Sequence, residues 1–261
     1  MKKAGNYLSI ILPVVVILFL ALGFLLAPND PMHVDVGIKF LESGGDYPLG
    51  TDEMGRCIFS RLLYGGRTTL GIVLVGSLMV LFLGVFFGVL MAGCGHHQNT
   101  IILESLLNAV TAVPPIAYLI VFIGAWGNGI ATMLIALTAS LSVRLIKLVK
   151  TEAELELQKA YILCAVASGA SKKRVMLVHV VPNLLPDVIR FLCLSGGEMI
   201  LAITGFSFIG LGMGDTVIDW GMMVADARSV LLLRPELMLY PIAAIIMCTF
   251  SFNLLAQKAG H

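Results

Sequence analysis

Few residues in this chain have types and spacings suited to making or breaking bonds. The five histidines, His33, His96, His97, His179 and His261, are dispersed. No nucleophile, base and orienting group stand in a recognisable arrangement. His96-His97 sit beside Cys94 in a predicted short inner loop, where they could chelate a metal. A solvated turn is the simpler account, so a metal role stays unknown. The five cysteines (Cys57, Cys94, Cys164, Cys193, Cys248) show neither CxxC nor Cys/His zinc spacing. They read as small apolar helix residues. A Gly-x4-Gly-Lys-[Ser/Thr] phosphate loop is absent, and Gly169-Ala-Ser-Lys-Lys173 lacks both the first glycine and the Lys-[Ser/Thr] pair. The chain is therefore expected to bind no ATP and no other cofactor of its own. One residue does suggest chemistry, of a non-covalent kind. Glu198 is the one ionisable residue in the middle of an apolar block, where exposure to lipid is costly. It either lines a path through the membrane and binds a cationic substrate, or hydrogen-bonds a partner subunit.

The elements that position Glu198 are membrane spans. The chain has 261 residues, 58% of them hydrophobic and 13% charged, with mean hydropathy +0.96. A soluble domain carries about 25% charge. The apolar residues come in blocks and not as one helical face. Net charge +1 argues against a nucleic-acid partner. Six blocks approach the ~20 residues of a spanning helix. They cover Leu8–Leu26 and about Thr69–Met91, Leu103–Ala125, Ile130–Val149, Leu184–Leu211 and Leu231–Leu255. The first resembles a signal peptide, but its apolar core is too long and no small-x-small site follows, so it reads as an uncleaved span. The fold class is thus all-α, a polytopic membrane protein with six transmembrane helices. Pro114-Pro115 breaks the third span. A broken membrane helix is tolerated where protein or a water-filled cavity covers the freed backbone, which makes both prolines candidates for the translocation path. Gly84 and Gly88 form a small-xxx-small pair for close helix packing.

Charge sets the orientation. Lys2, Lys3, Lys258 and a cluster between spans four and five (Arg144, Lys147, Lys150, Lys159, Lys172, Lys173, Arg174, Arg190) mark one face. The arginines and Lys39 of the other face are balanced by acids. The positive-inside rule then puts both termini on the cytoplasmic side of the membrane. The chain divides into the N-terminus and first span (1–26), an extracytoplasmic segment (27–67), a five-helix core (68–255) and a cytoplasmic tail (256–261).

The cytoplasmic insert at 159–183 is the most informative polar stretch. Helix is expected to continue from span four through Ala167. Gly169 fits a left-handed C′ position. Ser171 caps a second short helix that carries Lys172, Lys173 and Arg174 and ends by Pro182. The result is a compact helix–turn–helix of small residues, Ala165, Ala167, Gly169 and Ala170, shaped to fit a groove on another protein.

This stretch resembles the EAA loop of ABC-importer permeases. Leu163-Cys164-Ala165 stands in the Glu-Ala-Ala position, Gly169 follows after three residues, and His179-Val-Val-Pro182-Asn183 closes the motif. Leu163 replaces the family's glutamate. A second block, Tyr47-Pro-Leu-Gly-Thr-Asp52 through Gly55-Arg56-Cys57, Ser60-Arg61 and Gly65-Gly66-Arg67, is similar to a signature of the second permease of peptide/nickel-type ABC importers, with Cys57 for the usual aspartate. Pro48, Gly50 and Asp52 start a turn, and an amphipathic helix at the outer surface is expected after it. A third block, Gly205-Phe-Ser-Phe-Ile-Gly-Leu-Gly212 with Asp219-Trp-Gly-Met-Met-Val-Ala-Asp-Ala-Arg228, resembles the same family. Phe252-Asn-Leu-Leu255 resembles the close of its last span, although Ala256-Gln257 follows instead of Gly-Asp.

The resemblance implies a bacterial inner-membrane location, the type I permease fold and half of a translocation pathway for di- or oligopeptides or nickel, with a lean to nickel. It implies a second homologous permease, two ABC ATPase subunits that carry ATP and Mg, and an extracytoplasmic substrate-binding protein docking near 47–67 and 213–228. The insert, through Ala165, Gly169, Ala170, Ser171, Arg174, Pro182 and Asn183, would couple the ATPases to the spans. The alternative is a secondary transporter or channel not powered by ATP, for which paired intramembrane charges or an inverted repeat are expected. A polytopic membrane enzyme would need a cluster of His, Asp or Glu, and none is visible in the sequence.

Overall fold

The computed structural model describes residues 2–93, 98–214 and 216–259. Ten α-helices, α1 to α10, are joined by short 3-10 and π segments, and no strand is present among the described residues. Helix α1 (Lys2–Leu22) ends in a 3-10 turn, Gly23–Leu26. A loop then leads to α2 (Ile58–Gly93), which packs along α5 (Ile130–Leu157). Between these lie α3 (Gln98–Thr111) and α4 (Pro115–Trp126). Helix α6 (Ala160–Ala167) and the single turn α7 (Lys172–Arg174) form the insert. A π-helical stretch, Val175–Val180, runs on into α8 (Val181–Phe208), and α9 (Trp220–Asp226) precedes α10 (Glu236–Ala259).

Among the described residues, five helices are long and apolar enough to cross a membrane. The third expected span is α3 and α4 together, bent by 82° at the Pro114-Pro115 break. The chain at the break finds partners nearby. Tyr118 donates its hydroxyl to the Val110 carbonyl at 2.9 Å, and Thr111 donates to Leu107 at 2.8 Å. Local side chains thus satisfy backbone that lipid could not.

Close packing explains the glycine pair. A Cβ on Gly84 would lie 2.5 Å from Leu145 Cγ, and one on Gly88 would lie 2.7 Å from Val149 Cβ. Their small size lets α2 approach α5.

Four expected boundaries are corrected. The second span starts at Ile58, with no separate surface helix before it, because nothing between Ile58 and Thr69 breaks the helix. Helix does not run unbroken from span four to Ala167; it stops at Leu157 and restarts at Ala160. Pro182 does not stop the insert's second helix. It sits in the first turn of α8, where a missing N–H is tolerated, and the π stretch before it absorbs the change in hydrogen bonding. The last span begins at Glu236, after Pro235, and leaves Leu232 98% exposed in the preceding turn.

Candidate functional site

The insert is closed by backbone hydrogen bonds. Gly169 has φ +89°. Its N–H donates to the Val166 carbonyl at 2.9 Å, and the Ala170 N–H donates to Ala165 at 3.0 Å. This pair of bonds is a Schellman ending, which needs a left-handed residue at Gly169. The Ser171 hydroxyl then accepts from the Arg174 N–H at 3.4 Å and caps the next turn. Helix α6 buries Ile162 but leaves Leu163 and Val166 exposed. Lys172, Lys173 and Arg174 are exposed beside that apolar surface, and Ala165 and Ala170 are half-buried.

Sequence reasoning missed what ties the insert to the spans. The buried Glu156, at the end of α5, accepts hydrogen bonds from the Tyr161 hydroxyl and from Asn183 Nδ2 at 3.1 Å. It also pairs with Lys159. Asn183 donates to the Tyr161 oxygen as well, at 2.8 Å. One carboxylate therefore joins α5, α6 and the start of α8. Its hydrogen bond holds the Tyr161 phenol above its usual range and likewise raises the Lys159 ammonium. The signal available in the sequence was the last of three closely spaced glutamates, Glu152, Glu154 and Glu156, shortly before the insert. The family glutamate position, Leu163, is instead an exposed apolar residue.

Glu198 is not the lone mid-span charge. Arg144, expected in the cytoplasmic cluster, lies within α5. Its guanidinium donates to both Glu198 oxygens, at 3.0 and 3.2 Å. Asn128, between α4 and α5, donates to the Gly210 carbonyl just after α8, so the first turn of α5 and the last turn of α8 are level. At ~1.5 Å per residue, Arg144 lies about 21 Å and Glu198 about 15 Å from those ends. That is near the centre of a hydrocarbon core about 30 Å thick. Among the described residues, no hydrogen bond or ion pair links the Pro114-Pro115 break to Glu198; α4 packs on α5. His96, His97 and Cys94 lie outside the described residues. Among the described residues, no group of three or more His, Cys, Asp or Glu is placed to hold a metal.

On the opposite end, two sequence blocks meet. Tyr47 to Cys57 forms a tight loop whose Gly50 and Gly55 have φ +76° and +74°. The expected turn is present, with the Gly50 N–H donating to Tyr47 at 2.9 Å. Asp52 accepts from the N–H groups of Met54 and Arg56, each at 2.9 Å. The Arg56 and Arg61 guanidinia both bind Asp52, at 2.7 and 3.3 Å, and both bind Asp226, at 3.0 and 2.7 Å. The Arg61 side chain is only 2% exposed. The polar helix side on which its charge alone would place Arg56 and Arg61 is thus not solvated; the carboxylates of Asp52 and Asp226 allow the burial of Arg61. Trp220 donates its indole N–H to the Leu62 carbonyl at 3.0 Å. Its ring fills the space beside Gly65, where a Cβ would lie 2.9 Å from it, and a Cβ on Gly66 would meet the Leu20 carbonyl oxygen at 2.3 Å. Asp219 caps α9 by accepting from Gly221 and Met222 at 2.7 and 3.1 Å, and burial pushes its carboxyl upward.

A family profile described as "Binding-protein-dependent transport system inner membrane component" matches residues 84–258. The nickel transport system permease protein NikC of Escherichia coli K12 is 30% identical over 256 residues, covering 95% of this chain and 91% of that protein. The metal-staphylopine import system permease protein CntC of Staphylococcus aureus NCTC 8325 is 29% identical, over 93% of this chain and 85% of its own. Among solved structures, an inward-facing MetNI methionine ABC transporter matches with a TM-score of 0.62 at 15% identity, covering 76% of this chain and 94% of that one.

Proposed function

Since the chain belongs to the family of binding-protein-dependent transport system inner membrane components, we propose that it serves a peptide/nickel-type ABC importer as one of two homologous permeases. Its relatives include permease proteins of a nickel transport system and of a putative peptide transport system. Two separate ATPase subunits bind ATP and Mg on the cytoplasmic side. Closure of those subunits pushes on residues 159–183 and switches the spans as rigid bodies between inward-open and outward-open arrangements. A binding protein delivers substrate at the outer face, near 47–67 and 213–228. Both termini lie in the cytoplasm. The substrate is a short peptide, nickel or a nickel chelate.

The observation that supports this most is the construction of the insert. Its Gly169 turn presents Ala165, Ala170, Ser171 and Arg174 around an exposed apolar helix. Its base is joined to α5 and α8 through Glu156, Tyr161 and Asn183, next to Pro182 in the first turn of α8. A loop meant only for solvation needs neither the exposed Leu163 and Val166 nor a fixed connection to two spans. Uptake of radiolabelled nickel and of a labelled dipeptide, in cells with and without this chain, tests the reading. Loss of either uptake on deletion supports it, and unchanged uptake of both rejects both substrates.

A further inference from the structure

The Arg144–Glu198 pair is a partly open ion pair near the middle of the membrane. The Arg144 side chain is 30% exposed and the Glu198 side chain 43% exposed within this chain. Neither charge can face lipid without a cost of several kcal/mol, so the open side of the pair meets either water or another protein. The surface around it narrows the choice. Leu194, Leu201, Gly205 and Phe208 are exposed on the same face of α8 as Glu198, at spacings of three and four residues. Apart from the pair this face is apolar, and on the importer reading, in which two homologous permeases enclose the passage, the pair is the charged point that it presents to the cargo.

Charge determines what the pair can hold. A lone carboxylate would attract any cation. Here Arg144 already matches Glu198 with two hydrogen bonds, and a bare divalent cation approaching Glu198 meets the guanidinium as well. A solute carrying both charges meets no such penalty. Its carboxylate can take the Arg144 guanidinium, for which the planar fork is suited, while its cationic group takes Glu198. Four charges then stay matched in a low-dielectric setting. We propose that the Arg144–Glu198 pair is a specificity site in the translocation path that accepts zwitterionic solutes, such as a peptide with free termini, and rejects bare divalent cations.

This rests on the importer reading above. The test uses the complete importer in proteoliposomes with its binding protein and ATP, and two probes: labelled dialanine and aqueous nickel ion. Wild type is expected to import dialanine and not bare nickel. Arg144→Gln and Glu198→Gln are each expected to lower dialanine import per ATP hydrolysed at least tenfold, and the double variant to be no better. Recovery in the double variant overturns the proposal, because a merely structural pair is relieved when both charges go. Bare nickel imported as fast as dialanine also overturns it. If a single variant fails to assemble, the charge swap Arg144→Glu with Glu198→Arg keeps the ion pair. A raised KM there supports the proposal, and an unchanged concentration dependence overturns it. A wild-type importer that hydrolyses ATP but moves neither probe removes the peptide/nickel reading, and the proposal with it. Normal dialanine import by the double variant removes the proposal alone.

Discussion

Replacing Glu156 by alanine should uncouple the ATPases from the spans without detaching them. The carboxylate is buried and accepts from Tyr161 and Asn183, which belong to different helices. A net hydrogen bond to a charged group is worth about 1.5–3 kcal/mol. Tyr161 and Asn183 are exposed enough to regain water, so about 1 kcal/mol for each is the fitting value. The pair with Lys159, whose side chain is 57% exposed, adds little. The total is about 2 kcal/mol, or roughly a 30-fold shift in how often α6 moves as one body with α8. Tyr161→Phe loses about 1 kcal/mol, roughly fivefold. The assay is the stimulation of ATP hydrolysis by loaded binding protein in the reconstituted importer. Stimulation should fall strongly in Glu156→Ala and partly in Tyr161→Phe, with both complexes still holding their ATPases. Full stimulation in Glu156→Ala would refute the reasoning. The pH dependence has a definite sign. Lys159 and Tyr161 both have raised values, so their contribution is complete below their unfolded values and is lost as pH rises through the folded ones. Stimulation should therefore show no titration from these two groups near neutral pH.

Three further outcomes are expected. Gly88→Ala should destabilise by about 1–3 kcal/mol through overpacking against α5. Gly71→Ala, where nothing lies within 4 Å of the added Cβ, should be neutral or stabilising by about 0.5–1 kcal/mol; thermal unfolding in detergent compares them. Asp226→Asn leaves two guanidinia on Asp52 alone and should cost about 2 kcal/mol, a value reduced because Asp226 is partly exposed. A double-mutant cycle with Asp52→Asn should show coupling above 0.5 kcal/mol. Asp219→Asn keeps the cap acceptor and removes a charge that burial disfavours, so it should unfold at a higher temperature than Asp219→Ala, which loses about 1 kcal/mol of capping.

Local features were legible in the sequence because their causes are local. Gly169, Ser171, the Pro114-Pro115 break and the Gly84/Gly88 pair each depend on the conformation or size of one or two residues. Boundaries were less legible where proline has two meanings. Pro182 as a stop and Pro182 in a helix's first turn look the same in one dimension, and packing of the continuous α8 decided between them. The charged pairs were hidden for another reason. Arg56 and Arg61 meet Asp226 across 170 and 165 positions, and Arg144 meets Glu198 across 54. Periodicity assigns a residue to a face but does not name what that face touches. That Asp52 and Asp226 were expected on the same face as Arg56 and Arg61 was a hint that such pairing exists. Arg144 was assigned to the cytoplasm by its charge alone, although it stands well inside an apolar block; its partner makes that depth possible.

The central claim is that residues 159–183 receive the motion of separate ATPase subunits. Co-purification of an ATPase with this chain tests it most directly, in wild type, in Gly169→Trp and in a deletion of residues 165–174. The account predicts an ATPase bound to wild type and lost from both variants while the permease still reaches the membrane. ATPase binding retained in both variants would contradict it.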